Sequence, residues 1–268
     1  MSKKEYVHRD VSSGNILVVD GKGKLTDLEY AQIIGTGGHH GVRTVRLHVY
    51  RFLTAYPSYS IYRGTIAFMA VEVAAEKYTF TAHSHAALKQ LRDKNHPVPK
   101  AFVYNPLHDI ESLWWVLLWI VLCKEPSPST IFPDEQQVNR KLGEKVLRAF
   151  PQRLDEGSRA WLLRLGLQEF YFEYTAHISP SLAPYLYHLL GIKVYLVDSY
   201  TAAEASLFTG GDIDRTAWST THQNVIKEIN EVFTDMECSD FTLSPISFAS
   251  LKYKRRHGLS DDHAFFGF

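Results

Sequence analysis

Apolar residues along this chain fall into two periods. The run Ile16 to Val19 is short and β-branched, Asp20-Gly21-Lys22-Gly23 is rich in turn formers, and Lys24 to Thr26 resumes an extended pattern. Residues 16–26 are therefore predicted to form a small hairpin. From Glu29 to Gly64 no period holds, and the glycines at 35, 37, 38 and 41 read as a loop, because no strand directly precedes them and no helix clearly follows. Helical spacing is predicted from about 70 to 93, ending at Asn95-His96-Pro97. Asp109 to Cys123 is apolar on every side after its first turn, which marks a helix for the middle of a helical domain, with Trp114, Trp115 and Trp119 in its core. Further helices are expected at 134–150, 158–170, 180–191 with Gly191 as the stop, and 221–234 with Ile226, Ile229 and Phe233 on one face. Residues 236–268 read as a weakly ordered tail, polar and then basic.

Composition narrows the classes. A chain of 268 residues, 45% of them apolar, is long enough for a large core. Lysine plus arginine equals aspartate plus glutamate at 29 each, so no global charge points to nucleic acid or an anionic membrane. Two cysteines form no disulfide framework and suit a reducing compartment. The longest unbroken apolar run, Leu113 to Cys123, is 11 residues, against roughly 20 for a bilayer crossing, and Met1 to Glu5 begin no signal sequence. The expectation is an intracellular protein, cytoplasmic or nuclear, with neither nucleic acid nor membrane as a partner. His39, His40, His83 and His85 lack partners at metal-ligand spacing and read as surface histidines, and Lys252 to His257 as a solvated basic run.

The candidate chemistry sits near the start. Val7-His8-Arg9-Asp10-Val11-Ser12-Ser13-Gly14-Asn15 carries His-Arg-Asp followed, after four residues, by Asn, and Asp27 comes 17 residues after Asp10. The predicted hairpin brings Asn15, just before its first strand, close to Asp27, just after its second. Two oxygen ligands that are distant in sequence can then meet one Mg²⁺, which takes one or two protein ligands and otherwise keeps water and phosphate.

These motifs, with Asp27-Leu28-Glu29, Gly64-Thr65 through Glu72 and the helix begun by Asp109, come in an order that resembles the C-terminal lobe of a protein kinase, most closely the fungal-type protein kinase family. The resemblance implies a mainly α fold with a small β-hairpin beside the catalytic loop. It places the kinase-like lobe at 1–235, the activation segment at 27–72 and the central helix at 109–123. It implies an ATP- and Mg²⁺-dependent phosphotransferase acting on serine or threonine of a protein substrate. Asp10 would orient the attacking hydroxyl, Asn15 and Asp27 would hold magnesium on the nucleotide, and Arg9 would pair with an anionic group of the activation segment. Thr65 and Glu72 would shape the substrate side, while His8 and Asp109 would brace the loop.

Three departures qualify that expectation. Ser12 stands where serine/threonine kinases carry a lysine against the transferred phosphate. Glu29 and Val71 replace the glycine of Asp-Phe-Gly and the proline before Glu72. Only seven residues precede His8, so a fragment without the N-terminal lobe is expected. Two alternatives follow: a catalytically weak interaction module, and a small-molecule kinase of the choline or aminoglycoside type, to which Gly14-Asn15-Ile16-Leu17 is also similar.

Overall fold

The computed structural model describes residues 6–20, 22–34, 63–80, 102–127, 135–150, 156–205, 207, 213–214, 216–237 and 242–245. The expected glycine loop, the four histidines and the basic run at 252–257 lie outside them.

The described residues are mostly helical, with three two-stranded sheets. In chain order they form β1 (Tyr6–Val7), β2 (Ile16–Val19), β3 (Lys22–Leu25), β4 (Gln32–Ile33), α1 (Arg63–Phe68), α2 (Val71–Ala75), α3 (Pro106–Cys123), β5 (Lys124–Ser127), α4 (Glu135–Ala149), α5 (Glu156–Arg164), α6 (Leu167–Thr175), α7 (Ala183–Ala205), α8 (Thr216–Glu237) and β6 (Thr242–Pro245). The mainly α class expected from the sequence is what the structure shows, and so is the hairpin. Strands β2 and β3 pair antiparallel, Ile16 opposite Leu25 and Val19 opposite Lys22, with Asp20 in the left-handed conformation at the turn. Strands β1 and β4 pair as well, Val7 opposite Gln32.

The chain divides into two compact units, one of residues 1–116 and 192–227, the other of 117–191 and 228–268. In the first, α3 begins on Asn105, whose side-chain oxygen accepts the Leu107 N–H at 2.9 Å while Pro106 fills the first helical position. That pairing of an Asn cap with Pro sets the helix start. Leu107, Trp114 and Trp115 on α3 are buried, as are Phe68, Phe80, Leu196 and Tyr200. Helix α3 is long and apolar enough by length and composition to cross a bilayer, yet 72% of that span is buried inside the protein, as in a core helix. At the start of α8, Asp214 accepts the Thr216 N–H at 2.8 Å, and Trp218, Thr221 and Val225 face inward. In the second unit, Leu118, Trp119 and Leu122 join Leu142, Val146, Leu162, Phe170 and Leu186 in the core. Strand β5 pairs antiparallel with β6 there, Lys124 opposite Pro245.

Several expected boundaries move. The helix expected over 70–93 is only α2 within the described residues, because Glu76 adopts φ 50° and closes the helix by donating its N–H to the Glu72 and Val73 carbonyls. The helix expected at 158–170 is two, α5 and α6, broken where Leu165 turns inward and Gly166 stands as the cap of α6. Gly191 does not end a helix: α7 runs through it to Ala205. A Cβ on Gly191 would lie 2.9 Å from the Glu228 carboxylate. On α8, Trp218, Thr221 and Val225 are buried, whereas Ile226 is exposed. Within the stretch read as a tail, Thr242–Pro245 forms β6.

Candidate active site

The loop between β1 and β2 carries His8, Arg9, Asp10 and Asn15, and the N-terminal turn of α3 reaches it through Asp109. The Asp109 carboxylate accepts the His8 N–H at Oδ2 (2.6 Å) and the Arg9 N–H at Oδ1 (2.9 Å), while the Tyr104 hydroxyl donates to Oδ1 at 2.9 Å. Burial pushes the Asp109 carboxyl up from its ordinary range, and the two backbone N–H groups and Tyr104 pull it back. Charge-assisted bonds of this kind are the stronger class of hydrogen bond. Arg9 has φ 71°, a conformation L-residues rarely adopt, and the clamp on its own N–H and that of His8 holds it there. Such a backbone costs of order 1–3 kcal/mol and persists where its surroundings over-determine it.

The Arg9 guanidinium donates to Gln32 Oε1 at 3.0 Å and lies 5.5 Å over the Tyr104 ring. Burial lowers its pKa, with Tyr104 and Asp109 acting in the opposite sense. The His8 ring lies 2.9 Å from the Thr26 carbonyl through Nε2, so Nε2 carries the proton and the ring spans from the loop to the end of β3.

Asp10 and Asn15 are locked together. The Asn15 amide donates to the Asp10 carbonyl and to Asp10 Oδ2, both at 2.9 Å, which leaves its oxygen for another partner. Thr26 donates its N–H (2.9 Å) and its hydroxyl (3.2 Å) to the Asn15 carbonyl. The hairpin register is thereby carried one step past Ile16 and Leu25, and Asp27 follows Thr26 at the same open end, exposed and with φ 60°. Asp tolerates that backbone better than most residues. Tyr30, bonded to Glu29 and within the field of Asp10 and Asp27, has its pKa pushed up to about 12. Asp10, Asp27 and Glu29 all act on Tyr30, so their carboxylates share one neighbourhood, and oxygen donors of this kind are the type that Mg²⁺ takes.

The remaining candidates sit elsewhere in the same unit. Ser12 is buried and offers no cation, and its carbonyl accepts the Asn15 N–H at 3.1 Å. Thr65 belongs to the first turn of α1. Glu72 is fully buried in a group with Glu111, Glu204 and His108. It accepts the Thr79 N–H, lies 3.3 Å from His108 Nε2, and has its pKa pushed up to about 7, chiefly by burial. Glu111 accepts from Val71 N–H (2.8 Å), Trp115 Nε1 (2.9 Å) and the Tyr200 hydroxyl (2.7 Å). Glu72 therefore anchors α2 to α3 and is not brought to Asp10 by any of these bonds. The contacts made by Tyr104, Gln32 and Thr26 carry no signal in the sequence. Their roles come from tertiary contacts with Asp109, Arg9 and His8, which leave no local spacing to read.

Residues 1–121 match the family model described as fungal protein kinase. No curated protein and no solved structure matches the chain. Over its first 121 residues the chain is similar to that family, as the motifs imply.

Proposed function

From that family match we propose that the chain carries the catalytic loop of an ATP- and Mg²⁺-dependent phosphotransferase of the protein serine/threonine kinase type. The observation that carries the reading is the double clamp of Asp109 on the His8 and Arg9 amides, which fixes the loop presenting Asp10 and Asn15. Phosphoryl transfer needs little covalent chemistry from the protein and mostly positioned groups and neutralised charge. Asp10 would accept the hydroxyl proton of the acceptor, while Asn15 and Asp27 hold magnesium against the phosphates. Thr65 points the reading to serine or threonine acceptors, and the intracellular setting is retained with it. The test is Mg-ATP binding and phosphoryl transfer to generic Ser/Thr peptides by the wild-type chain and by Asp10→Asn and Asp27→Asn. Loss of transfer in both variants, with nucleotide binding kept in Asp10→Asn, is expected. Absence of Mg-ATP binding and transfer in the wild type would overturn the reading.

Ser12 favours a second reading. With a buried neutral side chain where a phosphate-contacting lysine would stand, transfer would be weak and the unit would act chiefly as an interaction module. Nucleotide binding without turnover would favour it. Turnover of choline or an aminoglycoside, without protein phosphorylation, would place the chain with small-molecule kinases instead.

A further inference from the structure

The second unit carries another group of ligand-type side chains. His188 lies on α7, and Glu228 and Glu231 lie three residues apart on α8, a spacing that puts both on one face of that helix. Glu228 Oε2 is 2.9 Å from His188 Nδ1, Glu231 Oε2 is 3.7 Å from the same nitrogen, and the three ligand atoms lie within 4.8 Å of one another. A tetrahedral centre with bonds of roughly 2.0–2.2 Å holds its ligand atoms about 3.3 Å apart, and the two distances fall either side of that value. Gly191 adds to the geometry: it sits three residues after His188 on the same helix, and a Cβ there would approach the Glu228 carboxylate to 2.9 Å. The bare backbone at Gly191 is what lets Glu228 lie beside the imidazole. His188 and Glu228 are mostly enclosed, at 14% and 15% side-chain exposure, whereas Glu231 is 47% exposed, so one side of the group opens to water.

We propose that His188, Glu228 and Glu231 form a binding site for a divalent cation of the zinc class, completed by water. The imidazole favours zinc and its first-row neighbours over magnesium or calcium, which prefer oxygen alone. Binding requires neutral His188 with Nδ1 as the ligand, so any proton on that nitrogen leaves as the metal enters. The site uses none of the residues assigned to phosphoryl transfer. It would tie α7 to α8 within the second unit.

The test uses the full chain, Zn²⁺ titrated in competition with a chromophoric chelator, and Co²⁺ as a spectroscopic substitute. The wild type should take up one tight equivalent, and Asp27→Asn should do the same. Glu231→Gln removes a half-exposed ligand without touching the core and should weaken uptake at least tenfold, as should His188→Gln. Gly191→Ala improves helix propensity but displaces the Glu228 carboxylate, so it should weaken zinc binding while leaving the apo chain at least as resistant to heat. Co²⁺ should give the intense visible absorption of a four-coordinate centre in the wild type, lost in Glu231→Gln. Equal zinc affinity in the wild type, Glu231→Gln and His188→Gln would place the ion elsewhere and overturn the proposal, as would wild-type affinity no better than millimolar.

Discussion

One carboxylate, Asp109, does three jobs at the scale of the residue: it holds two consecutive amides, orients a buried tyrosine and keeps Arg9 in a left-handed backbone. Replacing it with alanine leaves the His8 and Arg9 N–H groups without their acceptor, at a cost of about 1–3 kcal/mol for each such group. Asp109→Ala should therefore lower the unfolding free energy by several kcal/mol in urea titration, and Tyr104→Phe, which deletes one of three bonds, by about 1 kcal/mol. Asp10→Asn should act differently, leaving stability near that of the wild type while lowering phosphoryl transfer by about 10²–10⁴-fold, the usual contribution of a positioned base. Legibility at this scale was uneven. Asp10, Asn15 and Asp27 were named from spacing, because the loop and hairpin that join them are local. Asp109 was reached only through the resemblance, since nothing local links it to a loop about a hundred residues away.

At the scale of elements, α2 and α3 meet through Glu72 and His108, two groups that titrate in opposite senses. Burial raises Glu72 from 4.5 to about 7 and lowers His108 from 6.5 to about 4. The Asn105 N–H points at His108 Nδ1 at 3.0 Å, so that nitrogen is an acceptor and the proton resides on Nε2, toward Glu72. The pair is a neutral histidine beside a protonated acid. Between about pH 4.5 and 7 the folded chain holds a proton on Glu72 that the unfolded chain has lost, so this contribution to stability is full below 4.5 and gone above 7, about 3 kcal/mol in all. For His108 the unfolded chain binds the extra proton below 6.5, and stability is lost as pH falls from there toward 4. The two slopes offset each other from about pH 4.5 to 6.5. Glu72→Gln should uncover the histidine, giving stability that rises with pH over that interval, and His108→Phe should uncover the acid, giving stability that falls. Denaturation in urea across pH 4–8 reads both.

Helices with an unambiguous apolar pattern or flanking cap, α3 and α4, came out of the sequence close to their observed ends. Gly191 misled, because a glycine that stops a helix and one that lies beside a neighbour look alike until the neighbour is known. Glu228 is that neighbour for Gly191, and it lies in the next helix along.

At the scale of the whole molecule, the ligand proposed above should register globally. Mg-ATP at a hundred times its dissociation constant should add about 2.7 kcal/mol to unfolding, read as a rise in thermal midpoint. Asp27→Asn should abolish that rise. The mainly α class was legible because helical periodicity dominates the chain. The division into two units was not, since α3, α7 and α8 each begin in one and end in the other, with no change of composition at the crossings.

Strand β5 finds its partner in β6, more than a hundred residues later. On a ribosome adding about 5–20 residues per second, β5 would leave the exit with its backbone groups unpaired and wait on the order of ten seconds for Thr242–Pro245 to be made. Any chain that stops short of β6, by truncation or premature termination, would keep that edge open for good. Such chains should be the ones that chaperones retain and that aggregate first.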